Sequence, residues 1–336
     1  MSGNMTGRGR PDERDLHIVV GAGPIGTGVA LRLAGLGRRV AVVTRSGSGP
    51  DDPAVRLVAA DASDGEAMAR LADGAAAIYN CANPPYHRWP QLWPPIAAAL
   101  LGAAERSGAV LVTISNLYGY GPASESLGVA GYDAAHPMTE STPLAATGRK
   151  GRVRATMWRD ALAAHESGRL RATEVRASDY VGAGASSVLG ERVVPRVLAG
   201  RGVSVLGSAG RAHTWTYTGD VAALAVAAGR EPAAWGRAWH VPSGPPLTQR
   251  EAVDSIARAA GVRPVPVRVV PGAMVRAAGL ASPLMRELRE TEYQFGEDFV
   301  MDSTAAQRQF GLKPEPWDSV LGAVLRSYDR AAGQAA

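Results

Sequence analysis

Residues 16–45 read Leu16-His17-Ile18-Val19-Val20, then Gly21-Ala22-Gly23-Pro24-Ile25-Gly26, an apolar stretch to Leu36, and Val40-Ala41-Val42-Val43-Thr44-Arg45. The order predicts a strand, a glycine turn, a helix and a second strand, which is what a dinucleotide pyrophosphate needs. Gly21 suits the tight turn, Gly23 lets backbone approach a phosphate without a Cβ, and Gly26 lets the helix lie close on the strand. Pro24 and Ile25 open the helix, whose first free N–H groups face the anion. A G-x-G-x-x-G alone is a weak signal; flanked by an apolar strand and an apolar helix it predicts a bound dinucleotide.

The second strand bears on which dinucleotide. It ends Thr44-Arg45-Ser46, with no carboxylate until Asp51. An acid in this place would bind a ribose 2′-OH, whereas a guanidinium matches a 2′-phosphate in charge and in its planar fork of donors. The expected cofactor is therefore NADP(H), held in part by Thr44, Arg45 and Ser46.

A chain of 336 residues is long enough to bury a full α/β core and add a smaller lobe. Only Lys150 and Lys313 of its 36 basic residues are lysine, and the formal charge is only +5. The arginines are spread along the chain, so no nucleic-acid partner is expected. The single cysteine, Cys81, excludes an intrachain disulfide and fits a reducing cytoplasm. No apolar run has the length of a membrane span, so no membrane partner is expected either. The six histidines, at positions 17, 87, 136, 165, 213 and 240, show no ligand spacing, and no metal site is predicted.

Strand and helix signals alternate onward. Strands are predicted at 55–59, 76–80, 110–114 and 171–176, with helices at 64–71, 91–106 and 149–166. This pattern predicts an α/β, Rossmann-type doubly wound parallel sheet with ligands across the carboxyl ends of its strands. A long Gly/Ser/Pro-bearing stretch from Ser115 to Thr147 interrupts it, and loops of this length are usually functional or disordered. Beyond 181 the signals shorten: strands at 203–206, 213–218 and 239–242, and helices near 248–260, 271–281 and 317–332. The expected organisation is a disordered tail at 1–14 and a cofactor-binding core at 15–180, with 213–242 contributing. A smaller C-terminal substrate lobe is expected from 181–212 and 243–332.

The glycine turn, Asp61-Ala62 after the third strand and Asn80-Cys81-Ala82 after the fourth resemble the extended short-chain dehydrogenases/reductases related to nucleotide-sugar epimerases and dehydratases. Tyr120-Gly121-Pro122, Arg176-Ala177-Ser178-Asp179-Tyr180-Val181-Gly182 and Thr218-Gly219-Asp220-Val221-Ala222 follow in the family's order. The resemblance implies that Asp61 contacts adenine, that Asn80–Ala82 line the cofactor ribose, and that the segment with Ser178 and Tyr180 abuts the nicotinamide. It also places the end of the family's Tyr-x-x-x-Lys at Lys150, which puts Ala146 where the tyrosine belongs. The serine or threonine position holds Asn116, with Ser115 beside it. Lys150 would then sit on the nicotinamide ribose, and the usual acid would be missing.

Hydride delivery to a ketone makes an alkoxide, whose charge must be met by a proton or by fixed donors. Candidate side chains are Tyr118, Tyr132, Thr147 and Tyr180, with Asn116 as an oxyanion donor; water relayed by Lys150 is a second source. The third is the substrate itself, as a phenol beside its carbonyl. Tyr86, Trp89, Trp93, Trp158, Trp215 and Tyr217 fall in segments expected near the nicotinamide, which favours a flat apolar ligand. Within the family the chain resembles atypical ketoreductases of aromatic polyketide antibiotic pathways acting on angucyclinones. It implies an NADPH-dependent reduction of a polycyclic aryl ketone with Tyr86, Trp89, Trp158 and Trp215 lining the ligand. A nucleotide-sugar epimerase or dehydratase and a non-catalytic NADP-binding redox sensor are the alternatives. Assembly is open between a monomer and a homodimer paired through helices 91–107 and 149–166.

Overall fold

The computed structural model describes residues 15–185, 187–274 and 290–335, with side chains to 329. The tail expected at 1–14, and all but the start of the helix expected at 271–281, lie outside the described residues. Seven strands form one parallel sheet: β1 (Leu16–Val20), β2 (Arg39–Thr44), β3 (Val55–Ala59), β4 (Ala75–Asn80), β5 (Val110–Asn116), β6 (Arg171–Ala177) and β7 (Ala238–His240). Their order across the sheet is β7-β6-β5-β4-β1-β2-β3. The direction of winding reverses between β1 and β4, and such a switch point opens a crevice beyond the carboxyl ends of the strands.

The strands read as near-continuous apolar runs because both faces are covered. Val19, Val42, Val112 and Val175 pack beneath α1 (Pro24–Gly35) and the helix at Thr218–Arg230. Ile18, Ala41, Ile78 and Leu111 face the other way, against α2 (Gly65–Leu71), α3 (Trp89–Ser107) and α4 (Arg149–Glu166). Ile18 and Val19, adjacent in sequence, belong to opposite cores, as the two-residue period of a strand requires.

Small strand pairs fasten the rest of the chain to this sheet. The continuous strand expected at 213–218 is two pieces. Ala212–His213 runs antiparallel to Leu247–Thr248, and Trp215–Tyr217 runs parallel to Asp179–Val181. The break at Thr214 lets the two halves serve different partners. Val181, Val197, Trp215, Val253, Ile256 and Leu321 close a separate apolar core in this region. Its helix Gln249–Ala259 starts in a capping box, with Thr248 accepting from the Glu251 N–H and Glu251 accepting from the Thr248 N–H.

Candidate active site at the switch point

Two cavities adjoin beyond the ends of β1, β4 and β5. The first, about 460 Å³, is lined by Gly21, Gly23, Thr44, Arg45, Asp61, Ala62, Cys81 and Ala82, among others. The second, about 300 Å³, is lined by Gly23 to Gly26, Cys81, Ala82, Tyr86, Trp89, Asn116, Tyr118, Arg154, Ser178 to Tyr180, Gln294 and Phe299, among others. They share Gly23, Cys81, Ala82 and Asn83 and so form one trough across the glycine turn.

Each glycine of the turn has its own physical reason. Gly21 sits at φ +100, and a Cβ there would lie 2.7 Å from the Cys81 carbonyl oxygen. A Cβ on Gly26 would meet the Gly21 carbonyl oxygen at 2.0 Å, so helix and turn could not close. Gly23 is the contrast: nothing lies within 4 Å of its would-be Cβ. It is also the N-cap of α1 and offers no capping side chain, with Pro24 next. The first helical N–H groups thus open onto unfilled space, which is the cradle an anionic pyrophosphate requires.

On the wide side, Asp61 accepts hydrogen bonds from the Ser63 N–H and hydroxyl, at 2.9 and 2.8 Å. These bonds, the backbone one first, hold its carboxyl below the usual range. Thr44 donates to the Ser48 carbonyl oxygen. Arg45 is exposed at the rim. Ser46 bonds Ser48 and is not among the lining residues. Asn80 is buried behind the trough, where its Oδ1 accepts from the Ala82 N–H and sets the turn that presents Cys81 and Ala82. Burial pushes the Cys81 thiol up to about 12, so it lines the trough as a small apolar group.

The narrow side carries polar atoms that lack protein partners. Among the described residues, Ser178 Oγ, Arg154 Nε and Gln294 Nε2 are buried without a hydrogen bond, and all three residues line this cavity. Buried polar groups are normally satisfied. These three atoms are themselves closed to solvent, so they sit in the wall of the cavity and not on its open face. The Arg154 guanidinium donates to the Ile114 carbonyl oxygen at 3.4 Å and lies 4.6 Å and 4.4 Å over the rings of Trp89 and Trp93. The Tyr86 hydroxyl donates to that of Tyr118 at 2.7 Å, and the Tyr180 hydroxyl to the Ser115 carbonyl oxygen at 3.3 Å. Asn116 Oδ1 accepts from the Tyr118 N–H.

Several expected positions fall elsewhere. Lys150 is buried in the first turn of α4 but does not line the trough; its Nζ sits 3.2 Å from Glu290 Oε2 and 4.8 Å above the Tyr86 ring. The trough's cation on α4 is Arg154, one helical turn deeper, which the sequence reading passed over. Ala146 packs on the turns at Gly121 and Gly151. Thr147 is exposed and gives both its N–H and its hydroxyl to Glu125, so it is no proton donor to the trough. The Ser115 side chain is buried, and its carbonyl is the part that meets Tyr180. Tyr132 is spent on the Gly121 carbonyl oxygen and Ser126.

Of the aromatic residues, Tyr86 and Trp89 line the trough. Trp158 is buried under the sheet and Trp93 beneath Trp89. Trp215 belongs to the second core, its Nε1 donating to the Leu247 carbonyl oxygen, and lines a separate depression with Tyr217. Asp179, inside the quoted run 176–182, and Gln294, which has no sequence signal, were not singled out. Among the described residues no cluster of His, Cys, Asp and Glu could hold a metal ion, and no helix is long and apolar enough to cross a membrane.

Solved structures with this fold span nearly the whole chain. A dTDP-glucose 4,6-dehydratase from Streptomyces venezuelae, solved with NAD and TYD bound, superposes with TM-score 0.73 at 20% identity, covering 95% of this chain and 98% of that one. A UDP-glucose 4-epimerase from Thermotoga maritima, solved with UDP-glucose, gives TM-score 0.73 at 17% identity over 94% and 99% of the two chains. A putative epimerase from Burkholderia cenocepacia gives 0.71 at 22% identity over 95% and 99%. No curated protein is similar enough to count as a relative. Residues 17–241 match the family model described as the NAD dependent epimerase/dehydratase family, and the chain belongs to that family.

Proposed function

We propose that the protein is an NADPH-dependent ketoreductase that reduces a carbonyl of a polycyclic aromatic polyketide, of the angucyclinone kind, in antibiotic biosynthesis. The observation that carries this reading is the lining of the narrow cavity: Tyr86, Trp89, Leu117, Tyr118 and Phe299 present rings and an aliphatic side chain, while Arg154 is the one cation among the described residues that line it. A flat apolar ketone is stabilised by such a surface. Arg45 at the rim of the wide cavity supports a 2′-phosphate on the cofactor.

Bound in the trough, the reduced nicotinamide supplies the hydride. The chain's own residues do the rest. The glycine turn and the start of α1 receive the pyrophosphate, Asp61 lies at the adenine end, and Ser178, Arg154 and Gln294 line the reacting end. The family's Tyr-x-x-x-Lys spacing, counted back from the cation that lines the trough, runs from Lys150 to Arg154. The tyrosine position on this count is a lysine committed to Glu290. The customary acid is absent on either count, and the phenol of the substrate remains one source of the proton.

Spectrophotometric consumption of NADPH with a panel of hydroxylated polycyclic ketones tests the reading, and NADH in parallel tests the cofactor. Turnover with NADPH is the expected result. Cofactor binding with no consumption on any ketone would favour a redox sensor. Turnover of a nucleotide sugar would favour the second reading, an epimerase or dehydratase, which the sugar-nucleotide enzymes sharing this fold support. That reading requires the narrow cavity to take a diphosphate beside the Asp179 carboxylate.

A further inference from the structure

His213 is 1% exposed, on the short strand Ala212–His213, and is stacked at 4.8 Å on Phe295 and 5.3 Å on Phe299. Its Nδ1 lies 3.0 Å from the Gln294 backbone carbonyl oxygen and its Nε2 lies 2.9 Å from Asp179 Oδ2. A carbonyl oxygen only accepts, so Nδ1 carries a proton. The neutral ring then has a lone pair at Nε2, aimed at a carboxylate oxygen. The contact is favourable only if one more proton lies between them, as imidazolium with carboxylate or as imidazole with carboxylic acid.

His240 makes the point by contrast. Its Nδ1 faces the Asp302 carbonyl oxygen at 2.8 Å, but its Nε2 faces the Tyr120 hydroxyl at 2.7 Å, a group that can donate. That ring is satisfied while neutral. His213 is not.

Asp179 lines the narrow cavity, with its side chain 20% exposed. We propose that Asp179 and His213 together store one proton at the mouth of the trough and deliver it to the substrate oxygen, with Asp179 the catalytic residue and His213 the positioning residue behind it. This rests on the ketoreductase reading. The carbonyl carbon gains a C–H bond from the hydride of reduced nicotinamide, the C=O π pair moves to oxygen, and that oxygen takes the dyad's proton to become the alcohol. Oxidised cofactor leaves, and the dyad, one proton short, regains it from water through the open side of Asp179.

The other titratable groups around the dyad do not compete. Tyr86, Tyr118 and Tyr180 face Asp179 from the β4–α3 connection, the turn after β5 and its own strand; desolvation raises all three phenols, Tyr180 to about 12. Arg154 approaches from α4 into the same cavity, and on the His213 side Asp298 binds the Ala212 N–H and pairs with Arg211. The three phenols are thus weaker acids than a free tyrosine and keep their protons at neutral pH.

Asp179→Asn is the test, because an amide donates to Nε2 and keeps the dyad satisfied without the shared proton. In single-turnover reduction of a peri-hydroxytetralone and of its methyl ether, the wild type should act on both. Its rate should fall at high pH, where the dyad has lost the shared proton. Asp179→Asn should reduce both ketones about a hundredfold more slowly, with a flat pH profile and unchanged NADPH affinity. A low-field proton NMR resonance bridging Nε2 and Oδ2 should be present in the wild type at neutral pH and absent from the variant, whether or not any ketone turns over. A variant rate within twofold of wild type, an unchanged pH profile, or no bridging resonance would overturn the proposal. A bridging resonance in a wild type that consumes no NADPH would instead refute the ketoreductase reading.

Discussion

Arg154 is held where a charge is costly. It is buried, desolvation lowers its pKa, its Nε has no partner among the described residues, and its guanidinium makes a long hydrogen bond to the Ile114 carbonyl oxygen. Stacking on Trp89 and Trp93 offsets part of that cost, at about 2 kcal/mol for a desolvated cation on an aromatic face. A buried charge with so few partners is retained for a ligand rather than for the fold. Arg154→Met should therefore leave the melting temperature within a few degrees of wild type or raise it, and weaken reduced-cofactor binding at least about tenfold, roughly 1.4 kcal/mol. Thermal melts with a fluorescence titration read both. Lys150 stands out in the sequence because lysine is rare here and because it ends the family's Tyr-x-x-x-Lys spacing, whereas the helix pattern over 149–166 does not say which of its cations meets the trough. Only the fold shows which of the cations on α4 reaches the trough.

At the scale of elements, the turn from β1 into α1 separates two roles that its glycines share in sequence. Gly26→Ala drives a Cβ into the Gly21 carbonyl oxygen, so α1 must move off β1. A loss of about 1–3 kcal/mol in unfolding free energy is expected, together with lost cofactor binding. Gly23→Ala meets nothing within 4 Å and should leave unfolding unchanged while blocking the pyrophosphate. Both variants should lose cofactor binding in a titration, and chemical denaturation separates them, because only Gly26→Ala should lose stability as well. This element was legible because local periodicity and glycine spacing encode it. The long stretch 115–147 was not, since it is shaped by tertiary bonds such as Tyr132 N–H to Asp298 and Met138 N–H to Val300, over 160 residues away in each case. For the same reason Trp158 and Trp215 were placed on the ligand: their distance along the chain from the trough carries no information about which core they enter.

Over the whole molecule, acid sensitivity follows from buried histidines. Desolvation lowers His17 from 6.5 to about 4 and His240 to about 3. The unfolded chain takes up these protons from about pH 6.5 downward while the fold refuses them, so both contributions are present above pH 6.5 and are lost as pH falls. Asp220 acts in the opposite sense. Burial raises it from 3.8 to about 6, so its contribution is full below 3.8 and is lost as pH rises through 6. The two histidines outweigh Asp220 between about pH 6 and 4, with the raised carboxyls of Glu140 and Glu297 offsetting part of the difference, so stability should be lost toward acid. The midpoint of denaturant unfolding should fall steadily over that range, and a flat profile would show these groups to be hydrated in the fold.

The proposed reaction is hydride transfer to a carbonyl in the trough. The most direct measurement is isotopic: the protein is incubated with a hydroxylated polycyclic ketone and NADPH carrying deuterium in the transferable position at nicotinamide C4, and the product is examined by mass spectrometry. One deuterium on the new carbinol carbon is the predicted result. An alcohol without deuterium, or no alcohol while the cofactor is bound, would contradict it.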